Sequence, residues 1–305
     1  MRIKEIKIKD IVGYLGNRIV NVCGDIEDRI IDNLSDADHV KSTTLDWVNS
    51  SKCNKSQIAE ESKAECVIVD ETVEYSDKAR QLRKIYIVVK NPRDAMSLIA
   101  GHFFIDKASE GIHPSAIVDS SANVSPSASV GAGCVIGKAT IGPGTVLMPN
   151  VVVYNDVRIG ANCLIQAGAV IGTDGLGCSR DENGRLLKFP HLGGVVIGDN
   201  VEIGANCQIA RGVLSDTVIE DGCKINGLCF IAHNGHLGEN VWITGDTMLC
   251  GSVHVGKNTT IFSNVIVRDQ KQIGESCKIG MGAVVTKDVH SGETWVGNPA
   301  KKIDK

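Results

Sequence analysis

The chain has 305 residues, 43% hydrophobic and 22% charged, with 32 Lys and Arg against 36 Asp and Glu. This is the composition of a globular protein with apolar mass for a sizeable core, and the net charge of −4 excludes a strongly basic nucleic-acid binder. No apolar run reaches the roughly eighteen residues of a membrane helix, and the opening MRIKEIKIKD lacks the apolar core of an export signal, so a cytoplasmic chain is expected.

Residues 1–110 read as a small α/β domain. Ile8–Leu15 (IKDIVGYL) has helical spacing, while Cys66–Asp70 (CVIVD) and Ile85–Val89 (IYIVV) read as buried strands. Pro92 opens a second helical pattern, PRDAMSLIAGHF, because proline suits a first helical turn. Asp106–Gly111 is the expected link to residues 111–305.

From Ile112 onward an aliphatic residue recurs every sixth position. The runs are Ile112–Ile136, Ile141–Ile171, Ile197–Ile209 and Val213–Val285, with slips before Ile141 and Val213 and a non-periodic stretch near 172–196. A hexad of this kind predicts short strands joined by tight corners, three strands to a triangular coil. Twenty-seven such positions make nine coils, stacked at the spacing of neighbouring strands, about 4.8 Å.

Eleven cysteines with no C-x-x-C pair support neither a zinc knuckle nor a disulfide framework. Cys134, Cys163, Cys207, Cys223, Cys229 and Cys277 each stand two residues before an inward aliphatic position, a slot that Ala and Thr fill elsewhere, so they read as small buried hydrophobes. His236 and His254 read as surface groups, and no metal site is expected.

Three segments carry candidate chemistry. One is the interruption, with Asp174, Gly175, Phe189 and His191; another is IAHN, with His233 and Asn234; the third is the ending WVGNPAKKI, with Asn298, Pro299 and Lys301. His233 follows the inward Ile231 by two positions, where a corner turns outward. An imidazole, whose unperturbed pKa is near 6.5, is suited to taking a proton at neutral pH.

The hexads resemble those of the hexapeptide acyltransferase superfamily, whose fold is a left-handed parallel β-helix. Handedness comes from that resemblance, since periodicity alone cannot give it. LSDADHVKSTTLDWVN, CVIVDE, IYIVVKNPRDAMSLI, GVVIGDNVEIGAN, RGVLSDT and IAHN together resemble the UDP-3-O-acylglucosamine N-acyltransferases of lipid A synthesis, over nearly the whole chain. The resemblance implies a homotrimer that moves an acyl group from acyl-CoA or acyl carrier protein to the amine of a nucleotide-linked amino sugar, for surface glycan or lipid A-like synthesis. No permanently bound cofactor is implied. His233 would be the general base, Gly251 the oxyanion donor through its backbone N–H, and Asn226, where the family has Asp, the support for the histidine. The family's second histidine falls at Gln270, its usual glutamine at His191, and its uracil-binding aromatics at Asp46 and Lys52, beside Trp47. Asp174, Gly175, Phe189, His191 and Asn234 would contact the sugar. The ending GNPAK resembles the last coil of acetyl-CoA-using members, which gives Asn298, Pro299 and Lys301 the pantetheine or phosphate. Because the chain ends at Lys305, without the docking helices of the family, acyl-CoA is the favoured donor. The rival readings are a true lipid A N-acyltransferase, a sugar O-acetyltransferase and a catalytically silent β-helix scaffold.

Overall fold

The computed structural model describes residues 5–106 and 108–303. Lys107, inside the expected linker, and the first four and last two residues lie outside the described residues. The chain divides into two compact units, Met1–Lys107 and Ala108–Lys305.

In the first unit the strands are β1 (Ile6–Lys7), β2 (Ile19–Cys23), β3 (Ile30–Ile31), β4 (Leu45–Trp47), β5 (Cys66–Asp70) and β6 (Ile85–Val89). The helices are α1 (Ile8–Leu15), α2 (Lys55–Glu61), α3 (Asp77–Gln81) and α4 (Pro92–Ile99). The main sheet has the order β2-β6-β5-β4; β4, β5 and β6 are parallel, and β2 is antiparallel at the edge. β5 and β6 are buried along their whole length, which is why they read as unbroken apolar runs rather than alternating ones. α4 starts where expected: Asn91 accepts the Arg93 and Asp94 N–H groups, and Pro92 occupies the first turn. The short strands β1 to β4 and the helices α2 and α3 were not legible, because two to seven residues are too few to show a period. Trp47 is half-buried against the core, Asp46 accepts Trp47 N–H and Ser62 Oγ, and Lys52 is exposed.

The second unit is a prism. Its three parallel sheets, here called the first, second and third faces, begin with Gly111–Ile112, Ile117–Val118 and Asn123–Val124. Each strand pairs in register with its equivalents one coil before and after, so inward residues stack in columns such as Ile203, Ile225, Ile243, Ile261 and Ile279. These side chains form one continuous apolar core. The six cysteines named above lie inside it, 0–2% exposed. Corners are made by residues with positive φ, mostly Asn and Gly, whose local hydrogen bonding or lack of a Cβ suits that region.

The register corrects one rung. Val213 is half-buried in an irregular stretch and not an inward rung. The third face passes from Val195–Ile197 to Thr217–Ile219, and Ile209 and Ile219 are separated by an expanded corner. Val289, bridged to Ile273 and 3% exposed, supplies the missing third-face position, so nine coils remain. The last strand, Lys301–Ile303, folds back antiparallel on Thr294–Val296 and covers the end of the first-face sheet. Among the described residues no helix is long and apolar enough to cross a membrane.

Candidate active site

Both insertions into the hexad fall on the edge where the second face turns into the third. The segment 174–194 leaves after Val170–Thr173 on the second face and returns at Val195–Ile197 on the third. It carries an antiparallel hairpin, Gly177–Arg180 with Leu186–Phe189. One coil on, 211–216 widens the same edge. The next three coils place His233, Gly251 and Gln270 there, linked by Ser252 N–H to the His233 carbonyl and Gln270 N–H to the Gly251 carbonyl, each at 2.8 Å.

Arg211 and Asp216 hold these insertions to the prism. Arg211 donates to the Gly193 and Asn155 carbonyls at 2.8 and 2.9 Å and pairs with Asp156 at 3.1 Å. Asp216 accepts Gly194 N–H and pairs with Arg158, each at 2.7 Å. Neither residue was singled out from sequence; the only signal was their place in RGVLSDT, the segment that breaks the hexad.

His233 is half-buried, and its Nδ1 lies 3.1 Å from Asn234 Oδ1. That oxygen also accepts Val213 N–H at 3.0 Å, while Asn234 Nδ2 donates to the Ser215 carbonyl at 3.2 Å and to Ser215 Oγ at 3.0 Å. A backbone N–H only donates and a carbonyl only accepts, so the amide has one orientation here. His233 Nδ1 must therefore carry the hydrogen in the neutral ring, leaving Nε2 with a free lone pair. That is the form of imidazole able to accept a proton.

Two glycines make room for this ring. A Cβ on Gly251 would fall 2.5 Å from both Cε1 and Nε2 of His233. Among the described residues, Gly251 N–H has no acceptor. A Cβ on Gly175 would overlap the ring of His191 and lie 3.3 Å from His233 Cδ2. His191 is only 4% exposed, and its ring meets that of His233 edge to face, with centroids 5.1 Å apart. Its Nδ1 accepts Gly175 N–H at 2.8 Å, so the neutral ring holds its hydrogen on Nε2, a buried atom with no partner among the described residues. Burial, and next the charge of His233 when protonated, push its pKa down.

The structure thus gathers Gly175, His191, His233, Asn234 and Gly251. Asp174 and Phe189 are exposed at the hairpin's base, and Lys188 pairs with Asp174 at 2.7 Å, lowering that carboxyl's pKa. Three expectations change. Within one chain Asn226 does not reach His233: it follows Ile225 at the edge between the first and second faces, because seven residues exceed one hexad and carry it to another corner. There it lines a cavity of about 420 Å³ with Gln166, Glu202, Lys224 and Trp242. Asn234 replaces it as the partner of His233, and with its side-chain oxygen and nitrogen both engaged within the chain it is not placed as a sugar contact. His191, expected to contact the sugar, is instead enclosed, with its ring packed on that of His233.

Asn298, Pro299 and Lys301 are exposed around the final turn, whose strand stands four rungs from Lys224–Ile225, the first-face strand of the His233 coil. At about 4.8 Å per rung this is roughly 19 Å along the axis. His236 and His254 are adjacent rungs of the third face with rings 5.5 Å apart, and Glu220 accepts from His236 at 2.7 Å. Among the described residues no cluster of three or more His, Cys, Asp or Glu is arranged to hold a metal.

Known proteins share these features. The family described as bacterial transferase hexapeptide (six repeats) matches residues 138–173, and that described as hexapeptide repeat of succinyl-transferase matches 194–227. A UDP-3-O-acylglucosamine N-acyltransferase of Coxiella burnetii is 40% identical over 161 residues, covering 47% of this chain and 47% of that protein. One from Pseudomonas paraeruginosa is 39% identical over 187 residues, covering 54% and 52%. The chain thus spans about half the length of the curated relatives it matches. Among solved structures, LpxA from Acinetobacter baumannii superposes with a TM-score of 0.57 at 28% identity, covering 63% of this chain and 73% of that one. The UDP-N-acetylglucosamine O-acyltransferase LpxA from Moraxella catarrhalis gives 0.56 at 26%, with the same coverage. The chain carries a hexapeptide-repeat, left-handed parallel β-helix and resembles the UDP-3-O-acylglucosamine N-acyltransferases over about half of its length.

Proposed function

We propose that the chain is an acyltransferase that moves an acyl group from a thioester, acyl-CoA or acyl carrier protein, to the amine of a nucleotide-linked amino sugar, for lipid A-like or surface glycan synthesis. The observation that carries this reading is the tautomer-locked His233 ring against Gly251, on the one prism edge that also bears both insertions. The named relatives supply the reaction class.

In this reading the amine attacks the thioester carbonyl while His233 Nε2 takes its proton. Negative charge develops on the carbonyl oxygen, and Gly251 N–H donates to it. The C–S bond breaks, and His233 returns the proton to the leaving thiolate. Asn234 holds the ring, while Asp174, Gly175 and Phe189 line the acceptor side. Asn298, Pro299 and Lys301 serve the donor only if its arm runs along the prism or reaches a neighbouring copy, which fits a homotrimer with sites between prisms. Transfer to a hydroxyl, with the same base, is the second reading, favoured by the likeness to LpxA, an O-acyltransferase.

The test is thiol release from acetyl-CoA, 3-hydroxyacyl-CoA and 3-hydroxyacyl carrier protein, with UDP- and dTDP-linked amino sugars and their hydroxyl counterparts as acceptors. We expect turnover with an amine acceptor, reduced about 10²- to 10⁴-fold in His233→Ala. Turnover that survives this substitution would remove His233 from the mechanism, and none with any pair would overturn the reading.

A further inference from the structure

The first unit holds a second feature, which the prism chemistry does not use. Gly24, Arg29, Tyr75, Arg80, Arg83 and Lys84 line a cavity of about 420 Å³. Glu65 and Lys84 immediately precede β5 and β6, so the cavity lies at the starting ends of these parallel strands. Trp47 ends β4 at the opposite end of the sheet, the carboxyl end at which open parallel sheets usually bind ligands.

The lining is built around positive charge. Arg29 uses Nη1 on Glu65, 2.5 Å away, and its other donors are left over. Arg80 meets Asp77 only at 3.3 Å, between exposed side chains, and its guanidinium stands 5.7 Å from the centre of the Tyr75 ring. Arg83 pairs with no carboxylate among the described residues. It also has φ +54, just past the end of α3, where glycine is the residue that fits without cost. The remaining polar groups are committed elsewhere. Tyr75 Oη donates to the Lys84 carbonyl at 2.8 Å, and the Lys84 ammonium is turned inward onto the Ser62 and Ala64 carbonyls. Asp25, the carboxylate on the lining, accepts Glu27 N–H at 3.0 Å. Gly24 lets its backbone lie close against the Lys84 carbonyl, with which a Cβ there would collide.

We propose that this cavity is a binding site for a small phosphate-bearing anion, separate from the His233 edge. Guanidinium forks match phosphate oxygens in geometry and charge, and an arginine kept at a position suited to glycine places one of them on the rim.

The test is calorimetric titration of the full chain with inorganic pyrophosphate and with UDP, at constant ionic strength. We expect saturable pyrophosphate binding, weakened about tenfold or more in Arg83→Gly and in Arg80→Gln, as for loss of a charged hydrogen bond. Arg83→Gly should melt no lower than the parent without ligand, because glycine accepts that φ. UDP binding tighter than pyrophosphate, and equally sensitive to Arg83→Gly, would identify a nucleotide as the source of the phosphate; equal affinities would identify the phosphate alone. Binding that is absent, or that both variants leave unchanged, would overturn the proposal. Acyl transfer is not the readout, so the proposal can fail while the His233 reading stands, and the reverse.

Discussion

Asn234 Oδ1 accepts from two donors at once, His233 Nδ1 at 3.1 Å and Val213 N–H at 3.0 Å, so one amide fixes the imidazole tautomer and anchors the widened corner 211–216. Asn234→Ala should therefore impair two properties. The Val213 N–H loses its acceptor, costing about 1–3 kcal/mol, and acyl transfer falls because His233 is no longer held with Nε2 bare. Asn234→Asp keeps an acceptor but adds a negative charge, which favours the imidazolium. The acid limb of kcat/KM should move to higher pH in Asn234→Asp. A limb that does not move would show that Asn234 does not govern the base.

Gly251 offers a steric test of the same edge. Its φ lies outside the left-handed region, so alanine strains no backbone there, and the cost is confined to the imidazole 2.5 Å from the new Cβ. Gly251→Ala should leave the thermal midpoint close to that of the parent and lower kcat about 10²-fold or more. Gly175→Ala should act in the same direction through His191, whose ring the added methyl would strike. If Gly251→Ala keeps full activity, the ring is not used where the structure places it.

The prism was legible because its signal repeats. Each inward Ile or Val is one vote for the same column, and stacking makes every coil obey its neighbours. The misplacement of Val213 has the same origin: a valine at a plausible spacing was counted as a rung, although the corner had been widened by Arg211, Asp216 and Asn234. Of the candidate site, the positions of His233 and Asn234 were legible as a local motif, but the hydrogen bond that makes Asn234 the partner of the ring was not. A spacing of seven put Asn226 near His233 along the chain but on another edge of the triangle. The Gly175–His191 hydrogen bond closes across a sixteen-residue excursion, which no periodic pattern could forecast.

The cysteines divide by burial. Cys53 and Cys178 are exposed, and the six in the prism core are buried. Burial raises the thiol pKa of Cys134, Cys163 and Cys277, and pushes that of Cys223 up to about 11. Iodoacetamide at pH 8 should alkylate Cys53 and Cys178 in the native protein, and the six core thiols only after denaturation. Mass spectrometry of a timed digest reads this directly. Native labelling of Cys207 or Cys223 at the rate of Cys178 would mean that the coils open locally.

His191 makes stability depend on pH in a definite sense. Its native pKa is depressed from the ordinary 6.5, first by burial and then by the charge of His233. In the unfolded chain it takes up a proton near pH 6.5, whereas in the native protein it stays neutral to lower pH. Over that window the unfolded state binds more protons, so stability is greatest above about pH 6.5 and falls as the solution is acidified towards the native pKa. His254, also depressed by burial and by its neighbour His236, adds to the same slope. Gln at position 191 can still accept Gly175 N–H through its side-chain oxygen but does not titrate. Urea unfolding between pH 8 and 5.5 should show a shallower acid loss in His191→Gln than in the parent, with the remainder removed further by His254→Gln. Identical slopes in parent and His191→Gln would mean that the ring is protonated in the folded protein, and the edge-to-face packing on His233 would then have to be redrawn with a charged partner.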